Sequence, residues 1–188
     1  MLESMEARDL PDNVRGIRRV EFERLVELGV FRDVRVELLA GQLVEMSPQG
    51  DAHSSITAFL ADLLRPFIPS HMQIRQHSGF RAGDMSMPEP DVSVIPRIRG
   101  YHHPSEAFLI VEVADSSLYN DRNIKARIYA DAGVREYWII NVKREQIEVR
   151  TSLTASGYGN VQVFTRGDVL RPTMIPDAVL EVSAILDC

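Results

Sequence analysis

The chain has 188 residues, and at roughly 150 residues per domain it is expected to form one domain spanning 1–188. Apolar residues make up 45% and charged residues 26%, which excludes a fibre and a wholly disordered chain. The net charge of -6 counts against non-specific DNA binding over the whole surface, but it leaves room for a local basic groove or for an acidic site that meets phosphate through a metal.

In chain order, residues 1–16 are polar and are expected to be loosely ordered. Val20 to Leu28 carries Phe22, Leu25, Val26 and Leu28, a short amphipathic helix stopped by Gly29. Val34 to Leu39, then Ala40-Gly41, then Gln42 to Met46 reads as a hairpin. His53 to Leu64 has Ile56, Phe59, Leu60, Leu63 and Leu64 in one apolar stripe, a helix ended by Pro66 and Pro69. Strands are expected at Gln73 to Phe80 and Pro90 to Ile95. A third, nearly all apolar, runs from Phe108 to Val113 and reads as a central strand covered on both faces. Asn120 or Asp121 is expected to cap a helix ending near Ala132, with Gly133 as its stop. Glu136 to Val142 and Gln146 to Thr151 should pair, Ser156 to Asn160 should turn, and Val161 to Phe164 and Val179 to Val182 should be short strands. This order predicts an α/β fold (a mixed α+β sheet) with helices flanking the sheet and a helix and hairpin ahead of it.

Several functional classes are excluded. Cys188 is the sole cysteine, so there is no disulfide framework and no multi-cysteine zinc site. No apolar run approaches the ~20 residues of a membrane span, and Met1 to Glu6 lacks a basic segment followed by an apolar core. A cytoplasmic protein without membrane contact is expected. The histidines show no metalloprotease spacing, and phosphate-binding glycine loops and Gly-x-Ser-x-Gly elbows are absent.

Glu112 is the most informative residue, because it interrupts an apolar run that reads as a buried strand. A buried carboxylate needs a cation, a metal or a proton. The competing reading, a strand-end glutamate turned to solvent, weighs about the same. Asp91 follows Pro90, and adjacent strands would bring it to Glu112. Two such carboxylates repel unless a divalent cation neutralises them. A turn aspartate is the commoner fate of a lone Pro-Asp pair. Asp121, Lys125 and Tyr129 share a helix face, with Ile124 and Ile128 beside it packing on the sheet. Spacing alone makes Lys125 the exposed partner of Asp121. Glu37 alternates with Arg35 and reads as one half of a surface ion pair. His53, at a helix start, is either an ordinary exposed residue or a contact for a phosphate.

Glu37 to Pro48 with the following His53, then Pro90-Asp91-Val92, Val111-Glu112-Val113, Asp121 with Lys125 and Tyr129, and Ala132 to Ile140 form a series in order. It resembles the Uma-two family of restriction-endonuclease-like proteins within the PD-(D/E)xK nuclease superfamily. The resemblance implies a restriction-endonuclease-like core and an endonuclease that cleaves DNA phosphodiester bonds with Mg (or Mn). It implies Asp91 and Glu112, with the Val113 carbonyl, as metal ligands. The superfamily places a lysine two residues after the glutamate, where this chain has Ala114. Lys125 matches a lysine supplied instead from the next helix, to orient water or offset charge on the phosphate. Glu37 would hold a second ion or a water, and His53 would contact the phosphate. The resemblance also points to a homodimer. The tail from Val161 adds a reason, since its short strands should pack on the main sheet or on a second chain. Arg97, Arg99, Lys143 and Arg144 are the expected phosphate contacts near the site. The alternative is a nuclease fold that no longer cuts and serves as a DNA-binding or protein-interaction module.

Overall fold

The structure, a computed structural model, describes residues 15–188. The expected loose start at 1–16 lies, apart from Arg15 and Gly16, outside the described residues. The elements are α1 (Arg19–Glu27), β1 (Val36–Leu39), β2 (Gln42–Glu45), α2 (Asp51–Leu64), β3 (Met72–Gln76), β4 (Val92–Pro96) and β5 (Leu109–Ala114). A helical segment follows: α3 (Leu118–Asn120), a π turn (Asp121–Lys125) and α4 (Ala126–Asp131). Then come β6 (Tyr137–Asn141), β7 (Gln146–Thr154), β8 (Gly157–Thr165), β9 (Val169–Leu170), β10 (Leu180–Glu181) and α5 (Val182–Leu186).

The main sheet has the order β3-β4-β5-β6-β7-β8. Only β5 and β6 run parallel, joined by the α3–α4 crossover, so this is the expected mixed sheet flanked by helices. All six residues of β5 are buried, as an apolar central strand requires. Its odd-numbered residues, Val111 and Val113, enter the larger core with Trp138, Ile140, α2 and α5. Its even-numbered residues, Ile110 and Ala114, join Phe80, Tyr129, Tyr137 and Ile139 on the α4 side. Glu112 lies between Ile110 and Ala114, so the two-residue period of a strand points it to the α4 side.

A separate cluster of Phe22, Leu38 and Met87 fastens α1 and the hairpin to the body. Leu38 and Met87 exchange backbone hydrogen bonds of 3.3 and 2.8 Å. The hairpin turn has positive φ at both Ala40 (49°) and Gly41 (81°), as a two-residue primed turn demands. A Cβ at Gly41 would also stand 2.7 Å from the Met85 side chain.

The structure corrects several expectations. Phe80 lies outside β3 and packs edge-on against Tyr129. The crossover helix begins at Leu118, so neither Asn120 nor Asp121 caps it. Ile124 is exposed at 37%, while Ile128 is buried. The turn expected at Ser156 to Asn160 is confined to Ala155 and Ser156, and β8 takes up the rest. Val179 to Val182 is divided between β10 and the start of α5. Of the two places open to the tail, Leu170, Ile175, Leu180, Val182 and Ile185 take the first, packing on the chain's own sheet.

Candidate active site

β4 and β5 pair with Val92 opposite Val111 and Ser93 opposite Ile110. One step further in that register puts Asp91 across from Glu112, at the end of the sheet where β5 finishes. Here β4 has not yet begun, so the edge of β5 beside it is free. Val113 uses that edge, donating its N–H to Asp91 Oδ2 at 2.8 Å. A strand residue turns its N–H and C=O to the same side, so the Val113 carbonyl faces the same opening.

The π turn supplies Lys125, whose ammonium is buried among carboxylates. Nζ lies 3.1 Å from Glu37 Oε2, 3.2 Å from Glu112 Oε1 and 3.9 Å from Asp121 Oδ1. The exposed ion pair that spacing favoured for Lys125 is therefore wrong: its side chain is 6% exposed. π turns inside helices widen the backbone locally and recur at functional sites. Glu37 is buried as well, and Arg35 pairs with Glu89 instead. Glu37 Oε2 also accepts the Glu89 N–H at 3.2 Å, which ties the hairpin to the segment leading into Asp91. The solvent-facing alternative for Glu112 fails too, since the residue is 3% exposed.

Asp91 is held on both oxygens. Oδ2 meets His53 Nε2 at 3.1 Å, and Oδ1 meets His77 Nδ1 and Gln49 Nε2 at 3.5 Å each. His53 is thus largely buried against Asp91 rather than an exposed first-turn residue. Glu37, His53, Asp91, Glu112, Val113 and Lys125 all line one pocket of about 210 Å³, bounded by the loops at Met46–Gly50 and Asp115–Ser117.

Three carboxylates share one lysine here, with Asp91 close by, and their protonation follows. Burial is the largest influence on Glu112 and pushes its carboxyl well above the ordinary range. Lys125 opposes that shift, while Asp91, Asp121 and Glu37 add to it. Burial likewise pushes Asp121 up to about 6 against the pull of Lys125. Burial disfavours the Lys125 cation, but Glu112, Glu37 and Asp121 together outweigh it and raise the ammonium's pKa, so Lys125 stays charged.

The donor set suits a hard divalent cation. Glu112 Oε1 takes both Lys125 and the Tyr129 hydroxyl, at 3.2 and 2.6 Å. No hydrogen bond reaches Glu112 Oε2 among the described residues. Oxygens of Asp91 and Glu112, with the Val113 carbonyl, face one opening. Among the described residues no three His, Cys, Asp or Glu side chains form a ready cage. Mg²⁺ does not need one, because it commonly takes one or two carboxylates and keeps several waters.

Some residues of this cluster escape a reading of the sequence. Tyr129 was visible on the Lys125 face but carried no sign that its hydroxyl would reach Glu112. His77 falls within the strand expected at Gln73 to Phe80, but it lies just past β3 at a left-handed φ of 46°, and nothing in the pattern marks it as a partner of Asp91. Of the expected phosphate contacts, Arg97 and Arg99 follow the far end of β4, away from Asp91. Lys143 follows β6 at the site end and pairs with Asp115 at 3.2 Å.

A solved structure shares this architecture. The chain is similar to a protein from Anabaena variabilis ATCC 29413 described as a "putative nuclease belonging to DUF820", with a TM-score of 0.68 and 16% identity. The likeness covers 82% of this chain and 91% of that one. Residues 19–183 match the Uma2 family, described as "Putative restriction endonuclease", and the chain belongs to that family. No match was found among curated proteins.

Proposed function

We propose that the protein is a metal-dependent endonuclease that hydrolyses DNA phosphodiester bonds at this pocket. The observation that carries the reading is the meeting of Asp91, Glu112 and Lys125 just ahead of the start of β4, in a chain of the Uma2 family. Asp91, Glu112 and the Val113 carbonyl would hold Mg²⁺ or Mn²⁺. When bound, the ion supplies a Lewis acid that polarises a phosphate oxygen and acidifies water.

The chain's own groups do the rest. Lys125 holds its proton on Nζ and offers a fixed positive charge to the phosphate as negative charge builds on it. Glu37 orients that ammonium from the hairpin side. Tyr129 and Lys125 fix the Glu112 carboxylate on one oxygen and leave the other free. His53 holds Asp91 and lies on the pocket wall where a phosphate would pass. Without a cation, Lys125 neutralises part of the acidic cluster, so the site is self-consistent when empty. That same neutralisation is what a non-cutting interaction module would display.

The test is cleavage of single- and double-stranded DNA with Mg²⁺ or Mn²⁺, alongside a chelator control. Metal-dependent cutting is expected. A pure, folded protein that leaves every substrate intact would favour the non-cutting module.

A further inference from the structure

Among the described residues β8 is an edge of the main sheet, paired with β7 on one side only. It is nine residues long, and from Gly157 to Thr165 it contains no charged residue and no proline. Gly159 to Val163 are all exposed. Edge strands in proteins that remain monomeric are usually short, charged, kinked or covered, because a free row of N–H and C=O groups is a template for another strand. The opposite edge shows that protection. β3 has five residues, carries Arg75, and its Gln76 side chain is tied to the Thr57 carbonyl of α2. β8 is covered only at its last residue, where Thr165 exchanges hydrogen bonds with Asp168, and among the described residues nothing blocks the stretch from Gly159 to Val163.

The geometry points to β8 as the interface for a second copy of this chain, joined antiparallel across a two-fold axis to continue the sheet. A two-fold contact must be self-complementary, and β8 satisfies that requirement. With the axis at Gln162, each Val161 lies opposite the partner's Val163 and Gln162 meets its own mate. Val161 and Val163 are 47% and 53% exposed, and both project from the α4 face, as their register with Arg150 and Glu148 shows. Side by side, the four valines form a dry cross-strand patch, and such β-branched pairs stabilise antiparallel strands. Because the strand is uncharged, two copies meet without repulsion. A different protein partner would be expected to read charge or side-chain pockets along the edge, and β8 offers neither. This interface is independent of the nuclease reading, because no residue of the Asp91 pocket belongs to β8.

Sedimentation velocity on the full chain tests it, with Val161→Lys/Val163→Lys beside the wild type. The wild type should be a dimer at micromolar concentration. The double variant should dissociate at least ~100-fold more readily, since like charges would face each other across the axis. Both valines are half exposed, so the variant should keep its far-ultraviolet circular dichroism. A second measurement leaves the strand intact: Gln162→Cys in a Cys188→Ser chain should give a covalent dimer with a short bismaleimide. A monomeric wild type, a dimer indifferent to the lysines, or a Gln162→Cys chain that does not crosslink would each overturn the proposal.

Discussion

The Tyr129 hydroxyl donates to Glu112 Oε1 at 2.6 Å, the same oxygen that takes the Lys125 ammonium. The helical segment thereby holds one carboxylate with two side chains four residues apart. Tyr129→Phe keeps the ring against Phe80 and Tyr137 and removes only the hydroxyl. Urea unfolding should show a loss of about 1.5–3 kcal/mol, the worth of a hydrogen bond to a charged group. On the nuclease reading, cleavage should slow ~10–100-fold with little change in KM for DNA, as for other residues that orient a metal ligand.

Lys125→Met removes the cation and leaves Glu37, Glu112 and Asp121 facing one another in a buried site. Breaking such a cluster should cost about 3–5 kcal/mol near pH 8. The deficit should narrow near pH 5, because the carboxyls can then take protons. Denaturant titrations of both proteins at the two pH values measure this. A deficit that does not change with pH would mean the carboxylates are not the source of the strain.

Asp121 gives a pH dependence with a definite sign. Its folded pKa of about 6 lies above its ordinary value of 3.8, so between those values the folded state binds more protons than the unfolded. Its contribution to stability is present at low pH and is lost as pH rises through about 6. The span of the shift corresponds to roughly 3 kcal/mol. Asp121→Asn should flatten this part of the stability profile between pH 4 and 7. If the variant's profile keeps the wild-type slope, the carboxyl is not buried as described.

Metal binding should depend on Glu112. Calorimetry with Mn²⁺ should show weak binding that strengthens as pH rises, because the raised carboxyls must shed protons before they bind a cation. Glu112→Gln should abolish the heat while circular dichroism stays native. Equal binding by both proteins would place the ion elsewhere.

Most of the fold was legible because it rests on short-range periodicity. The apolar run of β5, the stripe on α2 and the Ala40-Gly41 turn each announce themselves within a few residues. β8 was read too short because Gly157 and Gly159 resemble turn residues, whereas Tyr158 between them stacks on Tyr137 and holds the strand in register. In the site, Glu112 stood out because a charge in an apolar strand is costly, whereas Asp91 taken alone has the look of an ordinary turn residue. Glu37 and Lys125 did not stand out either, because their local spacing is that of ordinary surface ion pairs. What buries them is the hairpin closing over the π turn, a contact between segments about 90 residues apart. Spacing within one segment carries no record of such a contact. The family resemblance supplied what periodicity could not.

The most direct test of the central claim is the cleavage rate of wild type, Asp91→Asn and Glu112→Gln, purified side by side and assayed on supercoiled DNA at saturating Mg²⁺ or Mn²⁺. The wild type should cut, and each variant, folded by circular dichroism, should lose at least ~100-fold in rate, as expected when a ligand that positions a catalytic charge is removed. Cutting at equal rates by all three proteins, or by none, would contradict the assignment of this pocket as a nuclease site.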